Sequence, residues 1–290
     1  MKGYPFLEES VMKKIIVLVL VVLVVAGVAG AANVPGGLTG LWRFQTSADK
    51  LKATVGADLT TSHPDNSYWY SSPWTVIEPG LSDGGAVQER SWDYLTVNHG
   101  IAANGGGIGW DPVTWEPNPR GIYFVNEYTV MMDYQQTSGL DQWNSLFQTS
   151  WGGNDNDGDL WTDGAGSIGV GDVGYSTLTY DVSQWHRIVL SVDNGNFFRA
   201  YVDGVLFLDG AGQDIDGRFS LYVEKFHLFA DNSWEDPWGM VSTAAVWDHA
   251  LTTDEVAGMG STTTALTIPE PATMSILAIG GLALLRRNRK

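Results

Sequence analysis

Cysteine is absent from all 290 residues. That excludes a disulfide framework and thiolate metal ligation, so stability outside a cell must come from core burial or bound ions. Basic charge is scarce, with 16 Lys and Arg against 33 Asp and Glu and a formal net charge of −17. The two ends mask how acidic the middle is. Residues 1–31 hold three basic and two acidic side chains and residues 269–290 hold four and one, leaving nine basic and 30 acidic groups between them. A net of −21 repels phosphate backbones and excludes nucleic acid as a partner. The five histidines, His63, His99, His186, His227 and His249, show neither His-x-His nor His-Glu-x-x-His spacing, which argues against zinc. Long amphipathic helical periodicity and internal repeats are missing too, which sets aside bundles and solenoids.

Several motif matches fail for want of context. Gly80-Leu81-Ser82-Asp83-Gly84 has the letters of a nucleophile elbow, but no helix follows it. Gly164–Gly169 and Gly169–Gly174 both match G-x-G-x-x-G, yet neither opens a helix whose N-terminus could hold a pyrophosphate. Both read as tight turns between strands.

What is present is a chain of short strands. There are 35 glycines, 44% hydrophobic residues and 12% aromatics, enough for a sizeable core. The clearest stretch is Gln184 to Leu208. Ile188, Leu190 and Val192 alternate with Arg187 and Ser191, and Ala200 and Val202 alternate with Arg199 and Tyr201. This is period two, a sheet with one buried face. Asn194-Gly195 and Asp203-Gly204 each suit a two-residue type I′ turn, giving a three-stranded meander. Further strands are expected at Gly37–Phe44, beside Val241–Trp247, and at Ala86–Arg90, Tyr94–Val97, Tyr123–Tyr134, Trp143–Thr149, Phe219–Tyr222, Phe226–Ala230 and Met240–Trp247. Thr252 and Glu255 have capping-box spacing ahead of a short helix that Gly258 should end. About a dozen strands indicate one all-β, two-sheet antiparallel sandwich.

Trp185-His186-Arg187 followed by Tyr201-Val202-Asp203-Gly204 resembles the central hairpin of laminin-G-like domains. The run from Ala244 to Val256 resembles their closing strand and short helix. The likeness spans Leu38 to Gly260 and implies a concanavalin A-like jelly roll over residues 33–260, with residues 261–268 as a Thr-rich linker. Laminarinase-like glycosidases of that fold carry Glu-x-Asp-x-x-Glu on one strand face. Here neither Glu127 with Asp133 nor Glu235 with Asp236 reproduces it, so catalysis is not expected.

The ends carry addresses. Met12-Lys13-Lys14, the apolar run Ile15–Val25 and small residues at Ala29 and Ala31 describe a signal peptide over residues 1–32; an uncleaved N-terminal helix is the alternative. Pro269-Glu270-Pro271, the short apolar stretch Ala272–Leu285 and Arg286-Arg287-Asn288-Arg289-Lys290 resemble the PEP-CTERM sorting signal of Gram-negative bacteria. That resemblance implies a short transmembrane helix in the inner membrane and processing by an exosortase near Glu270 and Pro271. Transfer to the cell surface or extracellular matrix would follow.

Two loop features suggest binding. Asn154-Asp155-Asn156-Asp157-Gly158-Asp159 is dense in oxygen ligands, so Asp155, Asp157 and Asp159 are candidates for calcium. Laminin-G-like domains often bind calcium at rim loops, which adds Asp231. The competing reading of the acidic run is a solvated hairpin tip. Trp69, Tyr70, Trp74, Trp110, Trp115, Trp234 and Trp238 fall in polar, Gly- or Pro-rich loops, where aromatic faces could stack on sugar rings. The functional expectation is an exported, non-catalytic binder of extracellular polysaccharide or a matrix protein. Its rivals are a matrix or adhesion protein without a small ligand, and a divergent glycoside hydrolase.

Overall fold

The computed structural model describes residues 32–44, 51–61, 81, 86–89, 94–105, 108–110, 117–119, 124–149, 157–231, 235 and 237–268. Two large antiparallel sheets pack face to face. The first runs in the order Val205–Ala211, Phe197–Val202, His186–Asp193, Glu127–Gln136, Gly239–Trp247, Leu38–Trp42 and Ala53–Val55, with Val87–Glu89 also paired to Gly239–Trp247. The second runs Gly174–Tyr175, Ile168–Val170, Leu160–Thr162, Asn144–Gln148, Phe226–Leu228, Leu95–Val97 and Thr60–Thr61. Between them lies one apolar core. Tyr128, Val130, Met132, Ile188, Leu190 and Val192 of the first sheet meet Phe147, Leu160, Ile168 and Leu228 of the second. The Tyr128 and Phe147 rings are 6.0 Å apart, and the Tyr128 hydroxyl donates to the Phe219 carbonyl at 2.7 Å. A buried hydroxyl needs such a partner, which pins the loop ahead of Leu221–Tyr222 to the core.

The meander forms as expected, but its turns differ. At Asp203 and Gly204 both φ angles are positive, 51° and 78°, and Val202 pairs directly with Val205, as a type I′ turn demands. At Asn194-Gly195 only Gly195 has positive φ, and Asn196 N–H bonds to the Asp193 carbonyl. A positive φ at the second central residue alone is the type II pattern. Asn194 is held by burial instead: its backbone N–H reaches the Asn126 carbonyl and its Nδ2 reaches Ser220 Oγ at 3.0 Å.

The expectation of one buried face is overturned. Arg187, Ser191 and Tyr201, assigned to the solvent side, are all fully buried. The helix Thr253–Met259 and the segments around Val34 and Leu266 cover that side, where Val256, Met259, Leu251 and Leu266 pack on Met131, Val189, Tyr201, Ala245 and Trp247. Burying one such aliphatic side chain contributes about 1.5–3 kcal/mol. The polar residues beneath are therefore paired. Arg187 Nε and Nη2 each donate to a carboxylate oxygen of Asp133 at 2.8 Å, and Nη1 donates to the Met259 carbonyl at 2.6 Å. Ser191 Oγ donates to the Leu251 carbonyl.

The capping box is present: Thr252 Oγ1 accepts from Glu255 N–H while the Glu255 carboxylate accepts from Thr252 N–H. The helix continues through Gly258 and is ended by Gly260 at φ 64°. The expected linker is not free, because Leu266–Thr267 forms a parallel pair with Ala32–Asn33 and Leu266 is fully buried. The expected long strand from Tyr123 breaks at Asn126, where Asn104 Oδ1 accepts from Asn126 and Glu127 N–H. Among the described residues no helix is long and apolar enough to cross a membrane. The expected signal and tail helices lie outside the described residues, as does most of the Gly80–Gly84 elbow match.

Candidate functional site

The outer face of the first sheet is covered; among the described residues that of the second carries an open cleft. Cross-strand register places Ser145, Trp161, Gly169 and Tyr175 in one row across four strands of the second sheet. They share a face because register partners point the same way, with Leu160 and Ile168 on the other; Trp161 is itself buried at 7% exposure and Tyr175 is half-buried, both packed on the core edge. Gly169 is required in this row. A Cβ there would overlap the Gly174 carbonyl oxygen and push the edge strand away. Trp143, just before Asn144–Gln148, completes the group. Its ring meets Tyr175 at 5.1 Å and Trp161 at 6.5 Å, both edge to face, and it is 42% exposed. Such T-shaped contacts hold aromatic rings in fixed orientation. Trp161 is locked further, its Nε1–H donating to the Gly158 carbonyl at 2.9 Å.

These rings line an open cleft of about 370 Å³ together with Asp157, Asp172, Arg218 and Glu235 and with Val170 and Gly171. Arg218 organises the polar side. Its Nε donates to Asp159 at 2.9 Å, Nη1 to Asp172 at 2.7 Å, and Nη2 to the Gly158 carbonyl at 3.1 Å and Asp157 at 3.5 Å. Asp159 lies beneath, with no solvent exposure, and accepts from Thr149 N–H and Oγ1 at 2.9 Å. Burial pushes its pKa up to about 6, against the hydrogen bonds from Thr149 and Arg218 that favour the charged form. Glu235 lines the same cleft. Its backbone carbonyl accepts from Ser145 N–H at 2.7 Å, and its N–H donates to Asp231 at 3.1 Å. Partial burial raises the Glu235 pKa, and the like charges of Asp231 and Asp157 raise it further.

The residues singled out by composition and spacing divide accordingly, and Asp159 is the first correction. It is neither a solvated loop tip nor an open cation ligand, because the positive charge among these acids is Arg218 and both Asp159 oxygens are engaged. Asp157 does line the cleft, and Asp231 acts on Glu235 from the rim. Among the described residues no three His, Asp or Glu side chains gather as a metal ligand set. Trp238 is 39% exposed on the rim, its carbonyl accepting from Thr137 and Ser138 N–H, and it is not part of the cleft lining. Trp110 falls in a short strand paired to Pro117 rather than in a loop. Trp69, Tyr70, Trp74, Trp115, Trp234 and Asp155 lie outside the described residues.

The cleft's own aromatics escape a reading that looks for binding tryptophans in loops. Trp161 and Tyr175 stand on strands, and Trp143 opens one. A signal exists in Leu160-Trp161-Thr162, where alternation beside an inward Leu160 puts Trp161 outward. Arg218 carries a signal too, as the one basic residue between Arg199 and Lys225 in a strongly acidic stretch.

Comparison with solved structures places this architecture among known folds. Domain 4 of AbnA, a GH43 extracellular arabinanase from Geobacillus stearothermophilus, in complex with arabinotriose, is similar at TM-score 0.50 and 16% identity, over 77% of this chain and 98% of that one. The Trypanosoma rangeli sialidase in complex with sialic acid gives TM-score 0.48 and 15% identity, over 78% of this chain and 33% of the sialidase. The receptor binding domain of botulinum neurotoxin D gives TM-score 0.47 and 12% identity, over 76% of this chain and 51% of that one. At such identities the likeness concerns the β-sandwich fold alone. A search of curated proteins returned no match. Residues 267–290, which include Pro269, Glu270 and Pro271, match the model of the PEP-CTERM protein-sorting motif, and the chain is on that ground an exported, sorted protein.

Proposed function

We propose that this protein is a non-catalytic carbohydrate-binding module sorted to the cell surface or extracellular matrix, and that the Trp143–Trp161–Tyr175 cleft is its sugar site. One observation carries the reading: Trp143, 42% exposed, and the half-buried Tyr175, backed by the buried Trp161, line an open cleft together with carboxylates and a guanidinium. Sugar rings bury their C–H faces on aromatics and give their hydroxyls to charged and amide acceptors, and this cleft offers both. Arabinotriose bound to the arabinanase domain of the same fold supports the ligand class without assigning it. Export is proposed to begin with a cleaved signal peptide at residues 1–32 and to end with exosortase processing near Glu270 and Pro271. Laminin-G-like membership is proposed on the Trp185–Gly204 and Ala244–Val256 motifs.

Glycan-array binding by the purified protein, lost in Trp143→Ala while the variant still melts cooperatively as a folded protein, is the expected outcome. Absence of binding to every glycan would leave a matrix or adhesion scaffold in its place. The glycosidase reading has one observation in its favour, since Asp157, Asp172 and Glu235 line the same cleft and Glu235 has a raised pKa. Sugar release abolished by Glu235→Gln would establish it. Calcium in support is proposed at Asp155, Asp157 and Asp231, without the engaged Asp159. A melting temperature raised by calcium is expected, and identical melts in calcium and chelator would remove the ion.

A further inference from the structure

We infer that the glycan taken by this cleft carries free amino groups, as a polymer of 2-amino-2-deoxyhexose does, rather than carboxylate or sulfate groups. The inference rests on the carbohydrate reading above and adds the ligand's charge. Three carboxylates, Asp157, Asp172 and Glu235, line the cleft against a single guanidinium. That guanidinium is not available to an anionic sugar, because Arg218 directs Nε, Nη1 and Nη2 at Asp159, Asp172, Asp157 and the Gly158 carbonyl. The carboxylates keep much of their surface for a ligand: the side chains of Asp157 and Asp172 are 51% and 57% exposed, and Glu235 is exposed.

The local field has the same sign at Glu235 and at Tyr175. Burial raises the Glu235 pKa, and the charges of Asp231 and Asp157 add to it. Burial also raises the pKa of the Tyr175 hydroxyl, where Asp163, Asp157 and Glu235 act in the same sense and outweigh Arg218. A sugar carboxylate or sulfate entering here would meet carboxylates that outnumber the one guanidinium. A neutral sugar would leave the carboxylates hydrated. A protonated amine can do two favourable things at once: pair with Glu235, and lie against the aromatic faces of Trp143 and Tyr175, whose quadrupoles attract cations. The aromatic platform makes the ligand a sugar rather than a flexible basic peptide, because a pyranose presents a flat apolar face and its amine together on a rigid ring.

The test is calorimetric titration of the purified full-length protein in detergent, with chelator and in buffer acidic enough to protonate the amines. Four probes are compared: a glucosamine hexamer, an N-acetylglucosamine hexamer, a mannuronate hexamer and hexalysine. The amino hexamer should bind at least about tenfold more tightly than its acetylated counterpart, as expected for one ion pair plus one cation–π contact in a half-open cleft. Glu235→Gln should remove most of that preference without shifting the melting temperature. Trp143→Ala should weaken both glucosamine-based hexamers and leave hexalysine unaffected. Equal or tighter binding of the acetylated or mannuronate hexamer overturns the inference, and so does hexalysine binding as tightly as the amino sugar, which would reduce the effect to bulk charge. Acetylated-hexamer binding that Trp143→Ala abolishes, with no gain for the amino hexamer, would sink the amine preference alone and leave the carbohydrate reading standing. No binding of any glycan, here or on the array, would sink both.

Discussion

Among single residues, Arg187 and Asp133 show most plainly how context overrules residue type. A buried ion pair is costly to break, since removing one partner strands the other charge. Arg187→Met or Asp133→Asn alone should cost roughly 3–5 kcal/mol by denaturant melts. The double replacement Arg187→Met with Asp133→Leu should cost less than either single, and additive losses would contradict a mainly electrostatic penalty. His227 makes a second residue-scale case. It lies on the second sheet, hydrogen-bonded to Thr96 Oγ1 at 3.0 Å, and burial with the nearby Lys225 charge lowers its pKa to about 4. A histidine depressed in this way binds fewer protons folded than unfolded, so stability falls as pH drops from about 6.5 towards 4. Asp159 has the opposite sign, because its raised pKa makes the folded state the better proton binder between about 4 and 6. The two partly cancel in the wild type, and His227→Gln separates them. That variant should be spared roughly 2 kcal/mol of acid destabilisation between about pH 7 and pH 5 in melts at the two values. None of these roles was legible in the residue order, because Arg187 and Asp133 are 54 positions apart and alternation alone assigned Arg187 to solvent.

For whole elements the residue order was more informative, because turns and caps are local chemistry. Asp203-Gly204 turns as its composition dictates, and Gly204 is doubly constrained. Its φ is 78°, and an added Cβ would come within 3.3 Å of the Ala257 backbone in the covering helix. Gly204→Ala should therefore destabilise by about 1–2 kcal/mol. Thr252→Ala removes the N-cap and should cost about 1 kcal/mol. Circular dichroism melts check both, and a neutral Gly204→Ala would mean the turn can relax. Where local chemistry misled, a tertiary contact had won. Asn194-Gly195 has the composition of a type I′ turn, yet Asn194 is drawn under the surface by Asn126 and Ser220. The strand at Tyr123 breaks because Asn104 claims the backbone at Asn126 and Glu127.

At the scale of the molecule, the described residues dress the outer face of the first sheet and put an open cleft on the second. The helix Thr253–Met259 and the pair Ala32–Asn33 with Leu266–Thr267 cover the first sheet, while the outer row of the second carries the cleft. The sorting motif thus begins, at residues 267 and 268, on the covered side of the first sheet. The covering segment belongs to the fold. Leu266→Ala should cost about 2–5 kcal/mol, and a chain ended at Gly260 should melt at a lower temperature than one ended at Ile268. Equal melting of the two chains would return residues 261–268 to the status of a linker.

Residue order determined the sandwich, its meander, the capped helix and the sorting motif, because period-two alternation, turn dipeptides and caps act over a few neighbouring positions. Tertiary structure decided which face is covered, which acids are neutralised from within and where the aromatics gather. Those outcomes depend on contacts between strands far apart in the chain: Trp143, Trp161, Tyr175, Arg218 and Glu235 become neighbours only when the second sheet is assembled in register.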